Sequence, residues 1–233
     1  MSQKFSLSVI IPIFNEEYHI NKFFYKINDQ LKKLKFLDYE IIFIDDGSVD
    51  NSFSKLVTLS NFNKKYVKVY RNLKNIGIGF AIKRGIRMSK KKNILWTGLD
   101  CDVPLSDYLL HYKKLKRYQL LIFYLNKKNN REPIRKLFSN SYTALLNFIF
   151  GYNLPYYNGL FLMNKSCMKK IDYMSNRFFF SAEIKLLSLK KNFKYIKIPV
   201  KMNQNLRSNT KTIFKVKNWL DIFRFIIYYK LKL

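Results

Sequence analysis

Acidic residues, cysteine, histidine, glycine and proline are all scarce in this 233-residue chain. Two cysteines, Cys101 and Cys167, cannot build a disulfide framework, and neither sits at zinc-ligand spacing from the only histidines, His19 and His111. Reduced thiols are expected. With seven glycines and five prolines there is no linker rich in Gly, Pro or Ser, and no internal repeat, so one compact domain is the simplest reading. Long hydrophobic runs are also missing. Tyr142 to Phe150 and Phe225 to Tyr229 fall well short of the roughly 18 residues that span a bilayer. The N-terminal Met-Ser-Gln-Lys-Phe leads straight into a strand-like run without signal-peptide features, and a cytoplasmic location is expected.

The acid deficit is uneven. Residues 1–107 hold 18 Lys+Arg against 11 Asp+Glu, whereas residues 108–233 hold 26 against 4, so the C-terminal half carries most of the +29 net charge. Such an asymmetry points to an anionic partner, whether lipid headgroup, phosphate or nucleic acid. Lys far exceeds Arg, and Asn, Ile, Phe and Tyr are abundant, so an AT-rich coding sequence would produce the same excess without any binding role.

What is present is a hydrophobic content of 48%, enough for a real core. Short β-branched runs at Leu7 to Ile13, Tyr39 to Asp45, Tyr66 to Tyr70 and Asn93 to Leu99 alternate with helical stretches at about Glu17 to Lys35, Asp50 to Ser60 and Gly79 to Ser89. That order predicts βαβ units on a mostly parallel sheet. Beyond it, helices are expected over Ser106 to Lys116, Ile134 to Phe150, Ala182 to Lys191 and Ile213 to Leu231. Strands are expected over Gln119 to Tyr124, Leu160 to Asn164 and Tyr195 to Val200, with loops over Asn126 to Glu132 and Lys201 to Lys211. The first four strands all end on polar or turn residues, where ligands bind in open α/β sheets.

One of those ends is Asp100-Cys101-Asp102, two carboxylates that can converge on a hard cation such as Mg2+ or Mn2+ bridging a diphosphate. Alone, the triplet reads equally as a solvated turn. It is the last of four motifs in order, after Ser8-Val-Ile-Ile-Pro-Ile-Phe-Asn-Glu-Glu17, Ile44-Asp-Asp-Gly-Ser-Val-Asp50 and Asn75-Ile-Gly-Ile-Gly79. Together they resemble the family 2 glycosyltransferases of the GT-A fold over the first 107 residues. The resemblance implies a nucleotide-sugar-dependent enzyme with a Rossmann-related central sheet. It places Pro12, Phe14, Glu16 and Ile44 around the nucleotide base, with Asp46 accepting from a base N–H, and Gly77 and Gly79 near the ribose or diphosphate. Asp100 and Cys101 would contact the donor, and Asp102, with Asp100, would hold the metal. Asp45 would cap the next turn.

The second half is similar, more faintly, to the polyprenyl-phosphate branch that includes the dolichyl-phosphate mannose synthases. The similarity rests on Arg135-Lys-Leu-Phe-Ser139, Asn158-Gly-Leu-Phe161, Phe180-Ser-Ala-Glu183, Ile198-Pro199 and Arg207-Ser-Asn-Thr-Lys211. It implies that Arg135, Ser139, Arg207 and Lys211 hold an acceptor phosphate. Pro104 stands where that branch often has a third metal ligand, its usual aspartate before Ser-Gly-Phe is replaced around Pro155 and Tyr156, and Asn126 or Lys127 replaces an arginine.

Transfer to a sugar hydroxyl needs a general base, and after Asp107 the only carboxylates are Glu132, Asp172, Glu183 and Asp221. An ionised phosphate needs no base, only positioning by cations. Glu183 is the candidate base should the acceptor be a hydroxyl. The terminal helix repeats Val216, Trp219, Leu220, Phe223, Ile226 and Ile227 at helical spacing among basic residues, which fits either a membrane interface or packing on the core.

The expectation is therefore a GT-A-like domain over residues 1–212, with a donor half (1–107) and an acceptor half (108–212), followed by a basic amphipathic helix over 213–233. It would move a hexose-type sugar from a UDP- or GDP-linked donor to polyprenyl phosphate with inversion, peripherally on the cytoplasmic membrane face. No nucleic acid partner is expected. A glycosyltransferase acting on a glycan hydroxyl, and a catalytically dead basic scaffold that binds membrane or nucleic acid, are the alternatives.

Overall fold

The computed structural model describes residues 4–99, 103–126, 133–201 and 216–232, the first turn of α5 and parts of α8 as backbone only. The strands are β1 (Phe5–Ile13), β2 (Leu37–Asp45), β3 (Val67–Arg71), β4 (Asn93–Trp96), β5 (Leu120–Leu125), β6 (Phe161–Asn164) and β7 (Tyr195–Val200). The helices are α1 (Ile20–Lys33), α2 (Ser52–Phe62), α3 (Ile78–Met88), α4 (Leu105–Leu109), α5 (Pro133–Phe150), α6 (Lys165–Met168), α7 (Phe180–Lys190) and α8 (Val216–Lys232). The expected helix over Ser106 to Lys116 divides into α4 and a 3-10 turn at Tyr112–Lys116, and α6 was not expected.

The strands form one sheet in the order β3-β2-β1-β4-β6-β5-β7. Only β6 runs against its neighbours, so β1 to β5 and β7 all point the same way. Leu7, Val9, Ile10, Ile11 and Ile13 of β1 are all buried, successive residues on opposite faces, because helices cover both sides of a parallel sheet. Ile20, Phe24, Ile27 and Leu31 recur at helical spacing on the buried stripe of α1. In contrast, α7 is buried all round, including Ser181, Glu183, Lys185 and Ser188. At the far end α8 packs one face inward, with Phe225 against Phe150 and Phe179, and leaves Leu220, Phe223 and Ile227 exposed.

The strand expected to run to Leu99 stops at Trp96, and β1 explains why. Ile10 turns its backbone towards β4 and accepts the Thr97 N–H at 3.0 Å. By strand alternation Pro12 faces the same neighbour, and it has no N–H to give. The ladder ends there, while β1 stays paired with β2 through Pro12↔Ile44 and Ile13↔Asp45. A crevice thus opens between the carboxyl ends of β1 and β4, the switch point of the sheet.

Candidate active site

The loops that follow β1 and β2 form one side of this crevice, and short polar side chains stitch them together. The Asn15 N–H donates to Ser48 Oγ (3.0 Å), and Asn15 Oδ1 accepts the Val49 N–H (3.0 Å). Glu16 N–H donates to Ser52 Oγ (2.8 Å), Glu17 N–H to Asp50 Oδ2 (3.2 Å), and Asn51 N–H to Glu17 Oε2 (3.1 Å). Asn15 itself adopts φ 54°, a left-handed conformation that asparagine tolerates better than most residues. Hydrogen bonding from Asn51 holds the Glu17 carboxyl below its ordinary range. For Asp50, desolvation pushes upward, and the bonds from Ser52 and Glu17 together outweigh it and lower the pKa. On this braced turn Phe14 is 43% exposed, a free aromatic face at the switch point, with Pro12 partly exposed behind it. The Glu16 carboxylate lies 3.0 Å from His19 Nδ1.

The two aspartates after β2 have different fates. Asp46 is saturated, since Oδ1 accepts from Asn72 Nδ2 (2.6 Å) and the Ile76 N–H (3.3 Å), and Oδ2 from the Gly77 N–H (2.7 Å). Arg84 in turn holds Asn72 Oδ1 and the Arg71 carbonyl. Asp46 is therefore the brace of the 72–77 loop, a role the sequence did not reveal. Asp45 is fully buried with its Oδ2 3.1 Å from Arg71 Nε, yet neither carboxylate oxygen makes a hydrogen bond. Its expected role as a turn cap is not seen. Ile44 lies wholly inside the sheet opposite Pro12.

Gly77 and Gly79 make a close approach, but to the protein's own backbone. Gly77 has φ 125°, and a Cβ there would lie 2.4 Å from the Asn176 carbonyl oxygen, while one on Gly79 would lie 2.2 Å from that of Ser175. The Gly79 N–H donates to the Asn176 carbonyl at 2.8 Å. The 175–176 segment is fixed from behind by Glu183, whose oxygens accept the N–H groups of Met174 (2.7 Å) and Ser175 (2.8 Å). Burial raises the Glu183 pKa despite those bonds. With 0% exposure and both oxygens engaged, Glu183 clamps a loop and presents no free oxygen to a substrate.

Sequence reasoning missed Lys185, two residues further along α7. It is completely buried, and its Nζ donates to the carbonyls of Tyr157 (2.6 Å) and Gly159 (2.7 Å), the latter shared with Ser181 Oγ (2.9 Å). Burial pushes the amine well below the ordinary lysine range. The turn held this way, Tyr157 to Gly159, leads into β6 at the rim where β4 ends. Only the three-dimensional fold signals this, because a lysine in sequence reads as surface.

Of the other expected site residues, Ser139 lies partly exposed on α5, one turn after Arg135. Asp100, Cys101, Asp102, Arg207 and Lys211, and the side chain of Arg135, lie outside the described residues. Among the described residues no group of three or more His, Cys, Asp or Glu could hold a metal. The placement of Asp100 and Asp102 in the chain suits that role, because they follow within a few residues of Trp96, where β4 leaves the sheet beside β1.

The chain is similar to known proteins. Residues 8–172 match the family model described as Glycosyl transferase family 2. A dolichyl-phosphate beta-glucosyltransferase of Dictyostelium discoideum is 38% identical over 112 residues, covering 44% of this chain and 33% of that protein. Across the first such relatives the chain spans about a third to two-fifths of their length. Glucosyl-3-phosphoglycerate synthase from Mycobacterium tuberculosis superposes with a TM-score of 0.69 at 15% identity, over 97% of this chain and 79% of that one. A mannosyltransferase of Pyrobaculum calidifontis, solved with GDP-Man and Mn2+, gives 0.66 at 13% identity, over 95% and 63%. The superpositions show the fold to be the GT-A arrangement, and with most of its length matched by the family model, the chain belongs to glycosyl transferase family 2.

Proposed function

We propose that this protein is a nucleotide-sugar-dependent glycosyltransferase that moves a hexose-type sugar, with inversion, from a UDP- or GDP-linked donor to polyprenyl phosphate. The observation that carries the acceptor assignment is the state of the carboxylates in the cationic half. Glu183, the candidate base, is sealed in and occupied, and Asp172 is exposed and paired with Lys83 at 2.9 Å. Among the described carboxylates of this half a hydroxyl nucleophile finds no free base, whereas a phosphate oxygen attacks already ionised. The names of relatives that act on dolichyl phosphate support the same acceptor class.

In this reading the donor base stacks on Phe14 beside Pro12 and Glu16. Asp46 is committed to the 72–77 loop and Asp45 is fully buried behind Arg71, so neither is assigned to a base N–H. Gly77 supports the loop beneath the ribose. Asp102, assisted by Asp100 and next to Cys101, would hold Mg2+ or Mn2+, which supplies charge neutralisation for the departing nucleoside diphosphate. Arg135, Ser139, Arg207 and Lys211 hold the acceptor phosphate in line with the anomeric carbon. Leu220, Phe223 and Ile227 on the outer face of α8, with the exposed Arg224 between them, rest on the membrane surface. No helix among the described residues is long and apolar enough to cross a membrane.

The test is to incubate the protein with polyprenyl phosphate and a panel of labelled nucleotide sugars. A lipid-linked sugar with one donor is the expected product. No lipid product with any donor, alongside transfer to a glycan, would replace this reading with the hydroxyl-acceptor one.

A further inference from the structure

The opposite rim of the sheet, where β5 and β7 begin, is indented by a cleft of about 580 Å3. Its walls are aromatic, formed by Tyr118, Tyr152, Phe193 and Tyr195, with the cations Arg117 and Lys194 at its edge. Leu189 and Asn192 complete the lining, which contains no carboxylate. The volume falls within the range of small-molecule sites. Six-residue β5, at about 3.3 Å per residue, separates this rim from the crevice by roughly 20 Å. The cleft is therefore distinct from the proposed transfer site.

It is also prebuilt. The Gln119 N–H donates to the Lys194 carbonyl (2.8 Å) and the Lys194 N–H returns to Gln119 Oε1 (2.7 Å), which locks the starts of β5 and β7 together. The turn that carries Asn192 and Phe193 is closed by the Phe193 N–H on the Ser188 carbonyl (3.0 Å), with Asn192 at φ 55°. Arg117 lies over the Tyr118 ring, 5.9 Å from its centre, which presents the guanidinium at the edge of the aromatic floor.

We propose that this cleft binds a phosphate ester of a sugar or polyol, with Arg117 and Lys194 on the phosphate and the aromatic rings against the carbon face. A guanidinium and an ammonium without a competing acid select an anion, and ring faces favour a body that exposes C–H groups. The wall also reaches α8. The Tyr152 hydroxyl lies 3.3 Å from that of Tyr229, whose ring sits under Lys190 Nζ at 4.5 Å and packs on Phe150 and Phe225. An occupied cleft thereby steadies the same helix that the proposed membrane contact uses.

The experiment follows amide signals of the full chain by NMR while adding glucose 1-phosphate, neutral glucose, or vesicles of phosphatidylglycerol or phosphatidylcholine. Glucose 1-phosphate is expected to shift residues 117–119 and 192–195 and to slow amide exchange around Tyr229. The double variant Arg117→Gln/Lys194→Gln should weaken that binding about tenfold. UDP or GDP should still shift residues 13–16 in the variant as in the parent. Saturation by the soluble ester assigns a free sugar phosphate, and a response only to phosphatidylglycerol vesicles assigns a lipid headgroup. Equal binding of neutral glucose, undiminished binding by the double variant, or no response to either phosphate probe would overturn the proposal. None of these readings depends on transfer activity.

Discussion

The two halves of this molecule use their charged side chains in opposite ways. Before residue 100, acids at the strand ends, Asp46, Asp50 and Glu17, set loop geometry around the crevice. After it, the two fully buried charged side chains among the described residues, Glu183 and Lys185, sit on one helix and form no ion pair with each other. Each instead captures backbone groups, Glu183 two N–H donors and Lys185 two carbonyls, and so fixes a loop on either side of α7. The N-terminal half thus builds a rim from local loops. The C-terminal half positions its loops from inside the core.

This contrast is open to direct tests. The largest effect is expected from Asp102→Ala, which should lower metal-dependent transfer roughly 10²–10³-fold while leaving the urea midpoint unchanged, the cost of losing a ligand to the catalytic cation. Full activity in that variant would move the donor site away from the end of β4. Next, Gly77→Ala forces a side chain into the Asn176 carbonyl at a φ that alanine resists. A loss of about 2–4 kcal/mol in chemical denaturation is expected, with weaker nucleotide binding.

Lys185 supplies the third test. Its folded pKa is depressed, so above that value the unfolded chain binds the extra proton, and stability must rise with pH until the unfolded lysine value is passed. On the alkaline side below that unfolded value the wild type should gain up to about 1.4 kcal/mol per pH unit, and Lys185→Met should lose that slope. An unchanged slope in the variant would show that burial does not depress the amine. The smallest change in turnover is expected from Glu183→Gln. It should cost about 1–2 kcal/mol of stability yet keep transfer to polyprenyl phosphate within a few-fold, because the carboxylate clamps a loop. Abolished turnover in a folded Glu183→Gln protein would restore it as the base.

Much of this architecture was legible in the sequence. β-branched runs at Leu7 to Ile13 and Tyr39 to Asp45, separated by an amphipathic stretch, predicted parallel strands, and the motif series resembled the GT-A family. Phe14, proposed from the sequence to face the base, is 43% exposed at the end of β1, and Pro12 was read as a site residue rather than as the reason β4 leaves the sheet. These features are local. Side-chain period, turn residues and a missing N–H act on a residue's immediate neighbours, so a reader of the sequence can see them.

What the sequence left undecided concerned partners far apart in the chain. Asp45 and Asp46 are adjacent and chemically identical, and only the arrival of Asn72, Ile76 and Gly77 saturates one and leaves the other without a hydrogen bond. Gly77 looked like a ligand-facing glycine until the 175–176 backbone came to lie against it. A lone lysine and a lone glutamate in a mixed helix became core groups because α7 is covered on every side, and burial forces each to find backbone partners or lose its hydration uncompensated. Hydrogen-bond saturation and desolvation are properties of the assembled fold, and they decide which polar residues remain free to meet a substrate.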